Sequence, residues 1–572
     1  MTGAAENNRE VEVSEVERMF VGAVAHHQAG RLKDAESLYG EVLRHEPGYP
    51  DALHLSGLIA AVTGRLTLAL ERFEQARRLT PNDEKLLGNL FLVQCRLGIA
   101  HAVEGRPAEA LPHLEQALAL KPGHPEVVNN LGVVLQELGR LDEAILRFGQ
   151  ALTLRPDYAE AMFNLGAAHQ RRGEAAEAMA HYQSCLRLRP QDPGLLCKVA
   201  IAFQLLGRTD EAVGLYEATL SLEPNFPEAL NNLGCALQEL GRLDEAMARY
   251  KQAQTLAPDY AEAHLSEAIV HLLKGDFAAG WPKYEWRWLL KDTEPHGHEQ
   301  PLWDGSRLDG KTILIHCEQG LGDCIQFIRY ARLVKELGGT VVVFCPKALA
   351  RLFRHAPGID QLVSERSAIP PCDCRAPLLS LPLLLGTTPA TVPADVPYLR
   401  PEPALVAAWR QRLAAHQGFK VGLVWAGDSR RPDPKSFATD RRRSMRLEQM
   451  VPLGGLPGLS FISLQKGEPA AEASRPPFAL ADWSRELEDF PDTAALIANL
   501  DLVISVDTSV AHLAGALARP VWLLSRFDGC WRWLLDRDDS PWYPGLRIFR
   551  QPRPGDWASV VEQVRGALAE RR

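Results

Sequence analysis

No part of this sequence has the look of a secretory leader. Residues 1–18 are polar and acidic, not basic and then apolar. Uninterrupted apolar runs fall short of the roughly 20 residues that span a bilayer, and the longest candidate, Leu378–Leu385, is interrupted by Pro382. Ten cysteines are scattered, several of them (Cys185, Cys235, Cys345) where helix or strand interiors are expected, so a disulfide framework is not expected. Cys372 and Cys374 have neither a second pair nor a histidine cluster to complete a zinc site. Positive charge is also not in excess. The 63 Lys and Arg residues against 72 Asp and Glu leave a net charge of −9, which argues against bulk nucleic-acid binding. A cytoplasmic protein of two or three domains is the expectation for 572 residues of this kind.

What the chain does have is a repeat. Pro47, Pro81, Pro122, Pro156, Pro190, Pro224 and Pro258 recur 34 residues apart, except for 41 between Pro81 and Pro122. One to two extra helical turns near 84–90 account for the exception. Ala35, Ala69, Ala110, Ala144, Ala178, Ala212 and Ala246 each precede their proline by 12 residues, and Gly57, Gly98, Gly132, Gly166 and Gly234 precede theirs by 24. Two short helices that cross closely need a small residue at the crossing, and proline ends the second helix because it has no N–H to donate. A fixed period of this length marks an α-helical solenoid. The spacing and residue types resemble the tetratricopeptide repeat family over about residues 16–285.

Such arrays hold extended peptides or partner helices in a concave groove lined by the first helix of each pair. Asn130, Asn164 and Asn232 stand at one repeat position, and Asn129 and Asn231 precede two of them. An amide that both donates and accepts can grip a peptide backbone without reading its side chains. An asparagine row of this kind also suits a solvated helix face, and both readings stand. A similar ladder occurs in protein O-linked N-acetylglucosamine transferases. Here it is broken by Val21, Leu55, Arg96 and Lys198.

After Pro258 the pattern degenerates into Trp281, Tyr284, Trp286 and Trp288, read as a capping helix turned against the next domain. From Lys311 strands alternate with helices, which predicts α/β structure with parallel sheets. Strands are expected at 312–317, 340–345, 361–363, 376–380, 421–425, 459–464, 502–506 and 520–524, and a helix at 557–569 is expected to pack back across the first lobe. The organisation is a polar tail (1–15), repeats (16–288; seven full and one degenerate), a linker (289–310), a first doubly wound, Rossmann-like lobe (311–400) and a second (401–572). Two such lobes predict a cleft at the carboxyl ends of their strands.

Two loops carry candidate chemistry. Gly320-Leu321-Gly322-Asp323 follows the first strand and opens a helix, but lacks the third glycine of a dinucleotide fingerprint and the Lys-Ser/Thr of a phosphate loop. Asp323 there suits a helix cap. Asp507-Thr508-Ser509 ends a buried strand and starts a helix of small residues, with His512 one turn on. A cap, two hydroxyls and free amides at one helix start can receive a diphosphate. For His512 the plain alternative is a helix-face histidine bonded to a backbone carbonyl. Asp536 and Asp538 lack a strand context and read as surface.

Taken together, the Gly-x-Gly-Asp loop (within Gln319–Tyr330), Val421–Gly427, the Asp-Thr-Ser-x-x-His start and Ser540–Pro544 resemble glycosyltransferase family nine, the heptosyltransferase-like enzymes. The whole chain resembles bacterial tetratricopeptide-repeat proteins with such a domain fused. The resemblance implies the two-lobed GT-B architecture, with the acceptor on the first lobe and the nucleotide sugar on the second. An inverting, metal-independent transfer from a nucleotide diphosphate sugar to an acceptor hydroxyl is the expectation, and the fusion of a peptide-binding solenoid to the transferase domain points to a protein held by the repeats as acceptor. Asp323 is then the candidate base. Gly320, Gly322, Lys435, Arg443, Asp507, Thr508, Ser509 and His512 are the donor-site candidates, and Asn130, Asn164 and Asn232 those of the acceptor groove. Arg441–Arg443 either neutralise the leaving diphosphate or form a solvated basic loop. No metal, cofactor, nucleic acid or membrane span is expected. The alternatives are a repeat scaffold with a relic transferase domain and a transferase for surface polysaccharide.

Overall fold

The computed structural model describes residues 14–290, 299–428 and 434–571, without the side chains of residues 434, 435 and 437. The chain divides after Pro190 into two compact units.

Five helical hairpins form the first unit: Glu15–Gln28 with Leu32–His45, Pro50–Val62 with Leu66–Leu79, Glu84–Val103 with Pro107–Leu120, Pro125–Glu137 with Leu141–Leu154, and Ala159–Arg172 with Ala175–Leu188. Their periodic alanines, Ala35 to Ala178, are fully buried. The periodic glycines have a specific reason. A Cβ on Gly132 would stand 2.6 Å from Cε1 of Phe148, and one on Gly98 2.7 Å from Leu114. The small residue on one helix is the seat for a large buried side chain 16 residues further on. Between the helices the chain reverses through a left-handed residue, at Gly139 with φ +76°, a conformation that costs glycine little.

The expected insertion is a longer first helix. Glu84–Val103 has 20 residues where Pro50–Val62 and Pro125–Glu137 have 13. By length and composition this helix is long enough to cross a membrane, although Glu84, Lys85 and Arg96 interrupt its apolar run. Its Leu86, Leu90, Val93 and Leu97 are buried in the hairpin core.

The second unit opens with three more hairpins: Pro193–Leu205 with Thr209–Leu222, Pro227–Glu239 with Leu243–Leu256, and Ala261–Leu273 with Phe277–Tyr284. Two all-parallel sheets follow. The first contains β1 (Thr312–His316), β2 (Thr340–Phe344), β3 (Gln361–Val363) and β4 (Cys374–Pro377) in the order β3-β2-β1-β4. The second contains β5 (Phe419–Val424), β6 (Leu459–Ser463), β7 (Leu480–Asp482), β8 (Leu502–Val506), β9 (Val521–Ser525) and β10 (Leu546–Arg550) in the order β10-β9-β8-β5-β6-β7. The strand order reverses beside β5 and β8, where Val424 pairs with Ser505. That is where a doubly wound sheet opens a crevice at its carboxyl edge.

Edge strands β7 and β10 were not expected from sequence. β7 is three residues long, and β10 carries Arg547 and Arg550 among its apolar residues. The Trp557–Glu570 helix packs Val560, Val561 and Val564 into the core of the second sheet, not across the first lobe as expected. A short loop joins it to β10, so the sheet it has just left is the apolar surface within reach. Of the segment read as a linker, Trp303 and Leu308 are buried, and the Trp303 N–H donates to the Arg375 carbonyl at 2.8 Å.

The aromatic cluster does cap the last hairpin. Trp281 meets Trp531 edge to face at 5.4 Å and donates its indole N–H to the Thr387 carbonyl at 3.1 Å. Leu272, Phe277 and Trp281 share one core with β1, β2 and the Leu321–Phe327 helix.

The seating of glycine under a large side chain is testable within one hairpin. Gly132→Ala is expected to destabilise the protein by about 1–3 kcal/mol through overpacking. Gly149→Ala, in the neighbouring helix with open space at its Cβ position, is expected to stabilise it by about 0.5–1 kcal/mol. Urea unfolding of the two variants measures both.

Candidate functional site

The Gly320–Asp323 loop owes its shape to the last repeat hairpin. Gln319 sits in the left-handed region at φ +61°, which is costly for a side-chain-bearing residue. Its amide is held by hydrogen bonds with the Tyr284 hydroxyl at 3.1–3.2 Å. Next to it, buried Arg287 binds Glu318 at 2.9 Å and the Ser380 hydroxyl at 2.7 Å. Asp323 then accepts the Gly320 N–H at 3.0 Å with one carboxylate oxygen. Its other oxygen is ion-paired with Arg532.

From the second sheet, β8 runs into the Ser509–Ala516 helix. Asp507 was expected to cap this helix. The N-cap is instead Thr508, and no side chain caps the helix start. The Thr508 hydroxyl is 3.0 Å from that of Ser505, and the amides of Ser509 and Val510 begin the helix without a cap over them. The two loops touch. A Cβ on Gly322 would lie 3.1 Å from Cδ2 of His512 and 3.3 Å from Cα of Ser509, so any larger residue there would crowd the approach.

Between the loops lies a cleft of about 650 Å³ lined by Gly320, Gly322, Asp323, Arg443, Asp507, Thr508, Ser509 and His512, among others. Eight of the sequence candidates therefore meet in one place. The side chain of Lys435 lies outside the described residues. Asn130, Asn164 and Asn232 lie on first helices of hairpins and are not among the residues that line the cleft. The Asn164 amide donates to Asn129 at 3.0 Å, so part of the row's hydrogen-bonding capacity is used inside the array.

His512 is 4% exposed. Its Nδ1 is 3.0 Å from the Tyr543 hydroxyl, not a backbone carbonyl, and its ring stacks on Trp533 at 5.1 Å. Burial pushes its pKa down to about 4, with Asp507 opposing the shift. It is therefore a neutral imidazole near pH 7 and brings no charge to a diphosphate.

The arginine run splits in two directions. Arg443 lines the cleft and pairs with Asp440 at 2.9 Å. Arg441 donates to the Leu205 carbonyl at 2.6 Å, and Arg442 pairs with Glu239 at 2.9 Å, both on repeat helices of the same unit. Arg441 is exposed and Arg442 half-buried, and both stand on the Pro434–Arg443 helix, not in a loop and not among the residues that line the cleft. Gly427 faces Asp440 and Arg443 so closely that any side chain there would displace them.

Sequence reasoning missed three cations of the cleft, Lys466, Arg526 and Arg532. Arg526 follows β9 directly, so the rule that sites gather at carboxyl ends of strands could have marked it. Arg532 lies between Trp531 and Trp533, where no strand end marks it. Burial disfavours its charge, but Asp323, Cys530 and Tyr284 together outweigh this and raise the Arg532 pKa. Asp536 and Asp538 are exposed, as expected.

Known families match both halves. Tetratricopeptide repeat models match residues 22–84 and 130–193 and, in a second form, 103–148 and 205–269. The model of glycosyltransferase family 9 (heptosyltransferase) matches residues 488–524, the segment that holds Asp507, Thr508, Ser509 and His512. Protein FlbA of Caulobacter vibrioides is 30% identical over 337 residues, covering 53% of this chain and 54% of its own. The chain thus spans about half the length of that curated relative. Among solved structures, a thermophilic tetratricopeptide protein of Thermus thermophilus is 27% identical over 32% of this chain and 100% of its own, with a TM-score of 0.29. One from Parabacteroides merdae is 17% identical over 45% and 98%, with a TM-score of 0.32. The chain carries tetratricopeptide repeats fused to a region similar to glycosyltransferase family 9.

The buried imidazole predicts a pH dependence. The unfolded chain takes up this proton near the ordinary value of 6.5, the folded one near 4. The contribution to stability is complete above the higher value and is lost as pH falls through the window, up to about 3 kcal/mol. Urea unfolding at stepped pH should show a shallower loss across this window in His512→Gln than in the parent protein.

Proposed function

We propose that the cleft is the donor site of a glycosyltransferase. It moves a sugar from a nucleotide diphosphate sugar to a hydroxyl of a protein held by the repeats, with inversion and without a metal. The observation that carries this reading is the meeting of the Gly320–Asp323 loop with the uncapped Thr508–Ser509 helix start in one cleft rimmed by Arg443, Arg526 and Arg532. The family 9 match over the same helix start supports it. The reaction takes place in the cytoplasm, where ten unpaired cysteines persist.

In this reading the Ser509 and Val510 amides and the Thr508 and Ser509 hydroxyls hold the diphosphate at the positive end of the helix. Arg532 supplies charge relief. A diphosphate competes with Asp323 for that guanidinium, and its arrival leaves the carboxylate free to accept a proton. The acceptor hydroxyl then bonds to the anomeric carbon as its proton passes to Asp323. The bond from that carbon to the phosphate oxygen breaks, and the nucleoside diphosphate leaves with the electron pair. Fixed amides and guanidinium groups that meet developing charge in a water-poor cleft lower such a barrier by several kcal/mol.

Melting temperatures measured against a panel of nucleoside diphosphates test the reading directly, since a ligand of the folded state raises them. A protein that responds to none of them has no donor site in this cleft. With the responding nucleotide in hand, Thr508→Ala with Ser509→Ala is expected to weaken binding by about 1–3 kcal/mol in calorimetry, with or without chelator. Asp323→Asn is expected to slow hydrolysis of the matching nucleotide sugar roughly a hundredfold, with nucleotide binding no weaker. Turnover near that of the parent would reduce Asp323 to a partner of Gly320 and Arg532.

A further inference from the structure

A chain of four charged side chains leads from the repeats to the cleft. It begins at Glu239, the last residue of the Pro227–Glu239 helix, whose carboxylate accepts from Gln204 at 3.0 Å and Thr209 at 3.2 Å. Arg442 binds Glu239 at 2.9 Å and faces Asp528 at 3.6 Å. Asp528 in turn holds Arg526, a cation of the cleft wall, at 3.1 Å. All four side chains are mostly buried, from 10% exposed for Asp528 to 27% for Arg442. The backbone follows the same route. Gly241, in the turn after Glu239, lies against the Phe527 ring, so that a Cβ there would stand 3.2 Å from it. The loop after β9 is therefore held against a repeat turn by packing on one residue and by charge on the next.

Two carboxylates and two guanidinium groups balance. Their order matters more than their sum. Asp528 lies between two cations. While Glu239 anchors Arg442, Asp528 is shared between Arg442 and Arg526, and the Arg526 guanidinium keeps charge for the cleft. Without Arg442, Asp528 closes on Arg526 alone and neutralises it. We propose that Glu239 is a positioning residue for the diphosphate subsite, acting through Arg442 and Asp528 on Arg526. The repeat that carries it is thereby a working part of the donor site and not a separable adaptor. This rests on the reading of the cleft as a donor site.

A charge-neutral double substitution, Glu239→Gln with Arg442→Gln, removes the anchor and leaves net charge unchanged. Affinity for inorganic pyrophosphate, UDP, GDP and ADP is measured by calorimetry well below the melting temperature of each variant. For whichever of these the parent protein binds, the double variant is expected to bind about tenfold more weakly, the scale of one charge-assisted hydrogen bond. The matching nucleotide sugar should show a higher KM at unchanged kcat, a split that loss of folded protein does not produce. The control is the exposed pair Arg242→Gln with Glu245→Gln, one turn away, and its affinity should match the parent. Arg442→Lys keeps a cation on Asp528 and should stay within about twofold of the parent, whereas Arg442→Gln should not. That pair of single variants decides the matter if the double variant does not fold. Parent-like affinity in the double variant, equal loss in the control, or equal affinity in Arg442→Lys and Arg442→Gln overturns the proposal and leaves the donor site standing. A parent protein that binds none of the four probes removes the donor-site reading and this inference with it.

Discussion

A repeat hairpin buries one face on its neighbour and presents the other, so the last hairpin of an array must be covered by something else. In the second unit the α/β lobes provide that cover, and much of the candidate site follows from it. Phe277 and Trp281 share a core with the first sheet, and Trp281 and Tyr284 both pack on Trp531. Aromatic pairs of this kind add about 0.5–1.5 kcal/mol beyond the area they bury. The same hairpin fixes Gln319 in a conformation it would not hold alone. Arg287 and Glu318 form a buried pair at this junction. Removing one partner of such a pair costs about 3–5 kcal/mol, because the other charge is left uncompensated.

Close approach is the second requirement, and glycine meets it at several points. Gly322 lets one loop rest on the helix start of the other lobe, Gly427 leaves room for the Asp440–Arg443 pair, and Gly515 lies against the ring of Tyr543. Tyr543 in turn holds His512. Backbone geometry, ring packing and one hydrogen bond thus fix the histidine as a neutral group at the edge of the cleft.

Each arginine of the cleft already has an acidic partner: Asp440 for Arg443, Asp528 for Arg526 and Asp323 for Arg532. An anion that enters must compete with these carboxylates. The pairing holds each guanidinium group in one place along the cleft wall.

The sequence by itself determined the repeats almost completely. Their small residues, turn glycines and prolines act within 34 residues, so each constraint recurs and is visible as a period. It also determined the two parallel sheets and the two loops, because strand–loop–helix patterns are local. It did not reveal β7 or β10, which are short edge strands, one of them rich in arginine, nor the destination of the Trp557–Glu570 helix. The partners of the charged groups were equally hidden. Arg441, Arg442 and Arg443 are adjacent in sequence, yet two serve the repeats and one the cleft, because consecutive helix residues point about 100° apart. Arg532 meets Asp323 from 209 positions away. Such pairings depend on which surfaces the fold brings together, and only the tertiary structure decided them.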